Sequence, residues 1–200
     1  MTSSWHILIL SCLAAYLLGS IPFAVVSSRL FRLADPRTYG SGNPGATNVL
    51  RSGNRKAAIF TLVGDAGKGA VAVLAARLPG LSEFDIGLVA LAVLIGHIFP
   101  VFLKFKGGKG VATAAGALLA LSFWVGLATL ATWLVMAKIS RYSSLGALAA
   151  ALSAPFWLLL LEDDGPIGII ILFAVILLAT HRSNIARLLS GKEGKISSRH

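Results

Sequence analysis

The chain has 200 residues, 56% hydrophobic and 13% charged, with mean hydropathy +0.81, and its apolar residues fall in long blocks that exclude an ordinary soluble domain and define an integral membrane protein. The formal net charge of +10 does not point to nucleic acid, because the basic residues sit between apolar blocks without the aromatic or motif context of a nucleic-acid binder. Cys12 is the single cysteine, so neither an intrachain disulfide framework nor a thiolate metal cluster is expected.

The first block, Trp5 to Val26, is long enough for a full crossing at roughly 20 residues per hydrocarbon core. It has no Lys or Arg before it and no clear cleavage site, so it is expected to be retained as a span. Arg29, Arg32, Arg37, Arg51, Arg55 and Lys56 follow at once, which puts this connection in the cytoplasm and the N-terminus outside. The same connection holds GSGNPGATNVLR, Gly40 to Arg51, rich in hydroxyls and amides. Ser41 can donate to a phosphoryl oxygen, Asn43 and Asn48 can donate and accept, and Arg51 offers the planar fork suited to phosphate. The plainer reading is a turn followed by a helix cap at Thr47 or Asn48.

The second block, Ala57 to Leu78, carries Asp65 and Lys68 in GDAGKG, three apart on one helix face where they can pair. An ionisable pair in a span is either functional or a clamp between helices. The third block, Ile86 to Phe105, returns to the cytoplasm at HIFPVFLKFKGGKGVAT, His97 to Thr113. Pro100 ends or kinks the helix. Gly107, Gly108 and Gly110 allow backbone angles closed to other residues and can aim N–H groups at one anionic oxygen. Lys109 adds an ammonium, and the helix opening near Val111 turns its positive end to the same place. Otherwise Lys104, Lys106 and Lys109 merely hold a loop on the cytoplasmic side.

From Val111 to Ala137 the apolar stretch covers 27 residues, too long for one comfortable span and too short for two full ones. A single crossing would reverse the charge bias of everything after it, so two short helices breaking near Ser122 to Gly126 are predicted. The blocks Leu145 to Leu161 and Ile167 to Ala179 then flank an outer EDDGP turn, and His181 to His200 forms a cytoplasmic tail. The fold class predicted is an all-α polytopic membrane protein of seven transmembrane helices, two of them short and central. It forms a single domain, 1–200, with the N-terminus outside and the C-terminus cytoplasmic. On this reading sixteen of the 18 Lys and Arg lie on the cytoplasmic side, Lys68 and Arg77 being the exceptions.

In the tail, His181, Asn184 and Arg187 recur at helical spacing and share a face, which also suits an interfacial helix with anchoring arginines. Ser144 lies on the same side of the membrane in KISRYSSLG. The spacing GxxxxGK[ST] of a P-loop does not occur, and no HExxH or GxSxG is present. A His-x-x-x-x-Asp pair for thioester chemistry is missing too, since Phe102 and Ala186 stand five after His97 and His181.

Together GSGNPGATNVLR, GHIFPVFLKFKGGKGVAT and HRSNIARLLSGKE, with GDAGKG and RYSSLG between them, resemble the three motifs of the bacterial acyl-phosphate-dependent glycerol-3-phosphate acyltransferase family, PlsY. The resemblance implies transfer of a fatty acyl group from acyl phosphate to glycerol 3-phosphate, giving lysophosphatidic acid and phosphate in phospholipid synthesis. It implies a bacterial cytoplasmic (inner) membrane protein with a cytosol-facing site, no cofactor and no metal. Acyl phosphate would come from the bilayer side, glycerol 3-phosphate from the cytosol, and the working form is expected to be a monomer.

Catalytic roles are expected for Ser41, Arg51, Lys109, His181 and Asn184. Substrate binding is expected for Asn43, Thr47, Asn48, Asp65, Lys68, His97, Lys106, Gly107, Gly108, Gly110, Thr113, Ser144 and Glu193. Ser41, Asn43 and the Gly107 to Gly110 backbone are placed near acyl phosphate, and Arg51, Lys109, Ser144, His181 and Asn184 near glycerol phosphate. Phosphate is a good leaving group, so charge stabilisation can suffice without a covalent intermediate. The acceptor proton then goes to an oxygen of the acyl phosphate or, in the rival scheme, to His97 or His181. The acyl chain is expected to enter between helices where Gly19, Gly64, Gly69 and Gly116 leave room. The alternative is a transporter or channel for organic phosphates built on broken helices, which would show polar sites near the bilayer midplane.

Overall fold

The computed structural model describes residues 2–161 and 166–196. Most of the EDDGP turn and the last residues of the tail lie outside them. The described residues are helical: α1 Thr2–Gly19, α2 Phe23–Leu30, α3 Ala46–Leu50, α4 Arg55–Arg77, α5 Glu83–Ile98, a 3-10 turn Val101–Leu103, α6 Val111–Leu121, α7 Phe123–Ser140, α8 Ser143–Leu161, α9 Ile167–Thr180 and α10 Arg182–Leu189. A helix stands at each of the seven predicted blocks. Among the described residues, five stretches are long and apolar enough to cross a membrane, or six if α9 and α10, bent by 60° at His181, are one broken span.

Local chemistry sets the ends. Asn54 caps α4 by accepting the Ala57 N–H at 3.0 Å. Ser82 caps α5 by accepting from Asp85 at 3.2 Å, with Glu83 and Asp85 in the first turn where carboxylates suit the helix dipole. The first predicted span is broken: α1 stops at Gly19, and α2 restarts after Pro22, which has no N–H to continue the ladder. Ser122 divides the central stretch within the expected window, but only α6 is short. With 18 residues, α7 is a full-length helix. Its run continues through an exposed Lys138 whose stem can snorkel, and it stops at Arg141, left-handed with φ +62°.

The chain divides into two compact units, Met1–Leu121 and Ser122–His200. In the first, glycines bring helices into backbone contact. A Cβ on Gly19 would strike the Val93 carbonyl of α5, one on Gly69 the Thr113 carbonyl of α6, and one on Gly116 the Ala66 carbonyl of α4. These glycines therefore leave no room for an acyl chain, and Gly64 is filled by the Phe23 ring. Close helix approach through small residues is how apolar helices associate where lipid offers no hydrophobic contrast. Arg77 finishes the short α6 by donating to the carbonyls of Leu121 and Ala120 at 3.1 and 3.4 Å while pairing with Glu83 at 2.6 Å. That satisfies carbonyls left without a partner at the helix end.

In the second unit, α7 and α8 pack closely at Gly146, where a Cβ would stand 2.9 Å from the Trp133 carbonyl. Trp157 donates to Thr132 at 3.0 Å between them. Small side chains such as Ala147, Ala151 and Ala154 are buried in α8, whereas Phe156, Leu159 and Leu160 are exposed. Large apolar groups outside and small ones inside are what a lipid-facing helix pair requires.

Candidate active site

The first unit holds two of the three motifs. In GSGNPGATNVLR the organising side chain is Asn48, 2% exposed. Its Oδ1 accepts the Ser41 N–H at 3.0 Å, and its Nδ2 donates to the carbonyls of Pro36 at 2.6 Å and Tyr39 at 3.2 Å. The loop is wound around this amide. Gly40, at φ +59°, has no space for a Cβ, which would overlap Asn48 Oδ1 and stand 3.2 Å from Arg51 Cδ. Ser41 and Arg51 are thereby presented on one turn, both exposed. Asn43 and Thr47 are half-buried beside them. Asn48 is not the cap of α3, a place held by Gly45, and its amide bonds the loop backbone.

Asp65 and Lys68 pair as their spacing predicts, at 2.9 Å. Lys68 also donates to the Ile21 carbonyl at 2.8 Å, in the break between α1 and α2, and His97 Nδ1 lies 3.4 Å from the same Asp65 oxygen. All three are buried. This is the clamp reading of the pair, joining the α1–α2 break, α4 and α5. The charged and polar ends of Asp65, Lys68 and His97 face one another, and the three also line a small pocket with Gly107 and Gly108. Thr113 has no exposed surface and its backbone packs against Gly69 of α4.

The lysine and glycine loop folds back along the end of α5. Tyr16 Oη donates to the Phe99 carbonyl at 2.8 Å and Ser20 Oγ accepts the Val101 N–H at 3.3 Å, so α1 fixes its start. Lys104 and Phe105 turn the chain with φ of +51° and +61°. The N–H groups of Gly107 and Gly108 then donate to the carbonyls of Ile98 at 3.0 Å and His97 at 3.1 Å. Those two amides are therefore spent inside the loop and do not form the expected anion cradle. Nor do their backbones need positive φ. They are glycines because a Cβ on Gly107 would meet the His97 carbonyl and Pro100, and one on Gly108 the His97 ring. Gly110 alone of the three has the special angle, φ +90°. It leads into α6, whose first N–H groups lack carbonyl partners within the helix. Lys109 stands half-buried at that end, and Lys106 is exposed.

The second unit holds the third motif, and its centre is Glu193. Ser144 donates to Oε1 at 2.7 Å, Asn184 Nδ2 to Oε1 at 2.6 Å, and Arg187 Nε to Oε2 at 2.7 Å. Burial pushes this carboxyl up, but the bonds from Ser144, Asn184 and Arg187 outweigh it and hold it below the usual glutamate range. The Ile196 N–H donates to the Arg141 carbonyl at 2.8 Å, tying the tail to the α7–α8 turn. Glu193 thus gathers three donors around one carboxylate. His181, 3% exposed, has Nδ1 2.7 Å from the Leu177 carbonyl. A carbonyl only accepts, so Nδ1 carries a proton.

Sequence reasoning gave Arg187 no more than an anchoring role, although its place three after Asn184 and six before Glu193 was the available signal. Tyr16 and Ser20, which pin the glycine loop, lie unmarked in an apolar block. In the first unit, then, exposed or half-buried donors stand on a backbone held from beneath by buried polar side chains, whereas in the second Ser144, His181 and Asn184 are themselves buried.

These features define a multi-pass helical membrane protein whose polar motifs lie in the connections between apolar helices. The sequence matches the model of the glycerol-3-phosphate acyltransferase family over residues 9–191, and the chain belongs to that family. It is 61% identical over 197 residues to the glycerol-3-phosphate acyltransferase of Ralstonia pickettii, covering 96% of this chain and 95% of that one. The enzyme of that name from Dechloromonas aromatica is 58% identical over 191 residues, covering 95% and 96%. Among solved structures, the fold is similar to crystal structures of PlsY (YgiH), an integral membrane glycerol 3-phosphate acyltransferase. Its glycerol 3-phosphate form superposes with a TM-score of 0.88 and its lysophosphatidic acid form with 0.87, each at 36% identity over 94% of both chains.

Proposed function

We propose that this protein transfers a fatty acyl group from acyl phosphate to glycerol 3-phosphate. The glycerol hydroxyl oxygen attacks the acyl carbonyl, the bond from that carbon to the phosphate oxygen breaks, and phosphate leaves. The hydroxyl proton goes to a phosphate oxygen, so the products are 1-acyl-glycerol 3-phosphate and hydrogen phosphate. Both substrates carry phosphate, and the observation that carries the reading is the placing of cationic donors on rigid turns: Arg51 beside Ser41, and Lys109 at the opening of α6. Ser41 and Asn43 are assigned to acyl phosphate with the Gly110 end of the loop. Arg51, Lys109, His181 and Asn184 are assigned to glycerol phosphate, with Ser144 holding Asn184's partner Glu193 in place. Thr47, Lys106 and Gly107 to Gly108 line or support these positions. Such donors stabilise the charge that grows on the carbonyl and leaving oxygens without a covalent intermediate.

The chain functions as one acyltransferase domain, 1–200, and as a monomer in the bacterial cytoplasmic membrane. It crosses seven times, with α6 as the short crossing, N-terminus outside, C-terminus and polar motifs on the cytoplasmic side. Acyl phosphate arrives from the bilayer and glycerol 3-phosphate from the cytosol. Purified protein in lipid should release phosphate and form lysophosphatidic acid when given both substrates. Absence of product from active-looking, folded protein would refute the reading.

A further inference from the structure

We propose that His97 is a positioning residue for the glycine loop: its imidazole, steered by Asp65, is the floor on which Gly108 lies and so sets where Lys109 and Gly110 stand. The proposal rests on the reading that this loop holds a substrate phosphate. His97 closes the last turn of α5 with 7% of its surface exposed. On one edge, Nδ1 is 3.4 Å from Asp65 Oδ1, and that oxygen is held by Lys68 at 2.9 Å. The other edge meets the loop: a Cβ on Gly108 would overlap Nε2 and stand 3.0 Å from Cε1 and 3.1 Å from Cδ2. The same two residues are joined through the backbone, Gly108 N–H donating to the His97 carbonyl at 3.1 Å.

Several consequences follow from this contact. With a carboxylate beside Nδ1 and the Gly108 backbone beside Nε2, both edges of the ring are engaged by the protein, which favours positioning over service as the base. Gly108 and Lys109 are adjacent, and consecutive Cα atoms are about 3.8 Å apart, so any sinking of Gly108 moves the ammonium. The Asp65–Lys68 pair needs no substrate to explain it. It gives the ring a fixed orientation, and Lys68 ties that orientation to Ile21 in the α1–α2 break.

The test is a double-variant cycle read by steady-state kinetics with acyl phosphate and glycerol 3-phosphate. His97→Ala removes the floor and should raise KM for at least one phosphate substrate on the order of tenfold, with a smaller change in kcat. His97→Gln keeps a polar group toward Asp65 and should fall between wild type and His97→Ala. Gly108→Ala should be strongly impaired while the ring is present, because the new methyl has nowhere to go. In His97→Ala/Gly108→Ala that methyl enters the vacated space, so the double variant should be clearly more active than the product of the single losses. If Gly108→Ala alone does not fold, recovery of a cooperative melt in the double variant reads the same overlap. Losses that simply multiply, a double variant that stays unfolded, or a pure kcat loss equal in His97→Ala and His97→Gln would overturn the proposal. A wild type that makes no lysophosphatidic acid would overturn the functional reading as well, which separates the two failures.

Discussion

Lys109 stands between Gly108 and Gly110, one residue from that special turn and two before α6 begins, where unpaired N–H groups and the dipole favour an anion. Replacing it with Ala should remove a charge-assisted phosphate contact of about 1.5 to 3 kcal/mol, roughly ten- to hundredfold in kcat/KM. Unchanged kinetics in Lys109→Ala would take it out of the site. Glu193 works from below, and its depressed pKa gives a pH dependence of definite sign. Its stabilisation is complete above the ordinary glutamate value of 4.5 and is lost as pH falls through the lower folded value. Glu193→Gln should lower the melting temperature at neutral pH, by a loss on the order of 1 to 3 kcal/mol, because an amide N–H would face donors. The variant should also lose part of the acid sensitivity of wild type; an identical acid profile in both proteins would contradict the clamp. Ser41 and Arg51 stand exposed on their loop, and Lys109 is half-buried on the next one. Asn48, Asp65, His97 and Glu193 carry equally telling side chains, but residue type does not say whether a polar group points at a ligand or at the protein's own backbone.

Helices were the most legible level, since a run of apolar residues of bilayer length has few alternatives. Length together with the charge bias predicted a break between Ser122 and Gly126, and it falls at Ser122. Two features escaped it: the end of α7, which depends on Arg141 adopting a left-handed turn, and the α1–α2 break, which Pro22 signalled within a block of unbroken hydropathy. Glycine roles were also misread, because a missing Cβ can mean space left open or space already filled by a neighbouring helix. Gly116 is the clearest case, with its would-be Cβ placed on the Ala66 carbonyl. Gly116→Val should force α4 and α6 apart and destabilise by about 1 to 3 kcal/mol, seen as a lowered melting temperature in detergent. A melt like that of wild type would mean the two backbones do not approach as closely as described.

For the molecule as a whole, the charge bias makes a statement about sides that labelling can read. Single cysteines at Thr38, Lys106, Lys138 and Lys192, in a chain lacking Cys12, should react with an impermeant thiol reagent from the cytoplasmic side only. Labelling of Lys138→Cys or Lys192→Cys from outside would contradict seven crossings. The motifs also make a statement about the donor. They offer groups for phosphate but no His-x-x-x-x-Asp pair to activate a hydroxyl against a thioester, and phosphate leaves an acyl group readily. The most direct measurement is therefore product formation by the purified protein with glycerol 3-phosphate and either acyl phosphate or acyl-CoA of one chain length, with and without EDTA. Lysophosphatidic acid should form from acyl phosphate alone and be indifferent to the chelator; equal rates from acyl-CoA, or loss of activity with EDTA, would contradict the account.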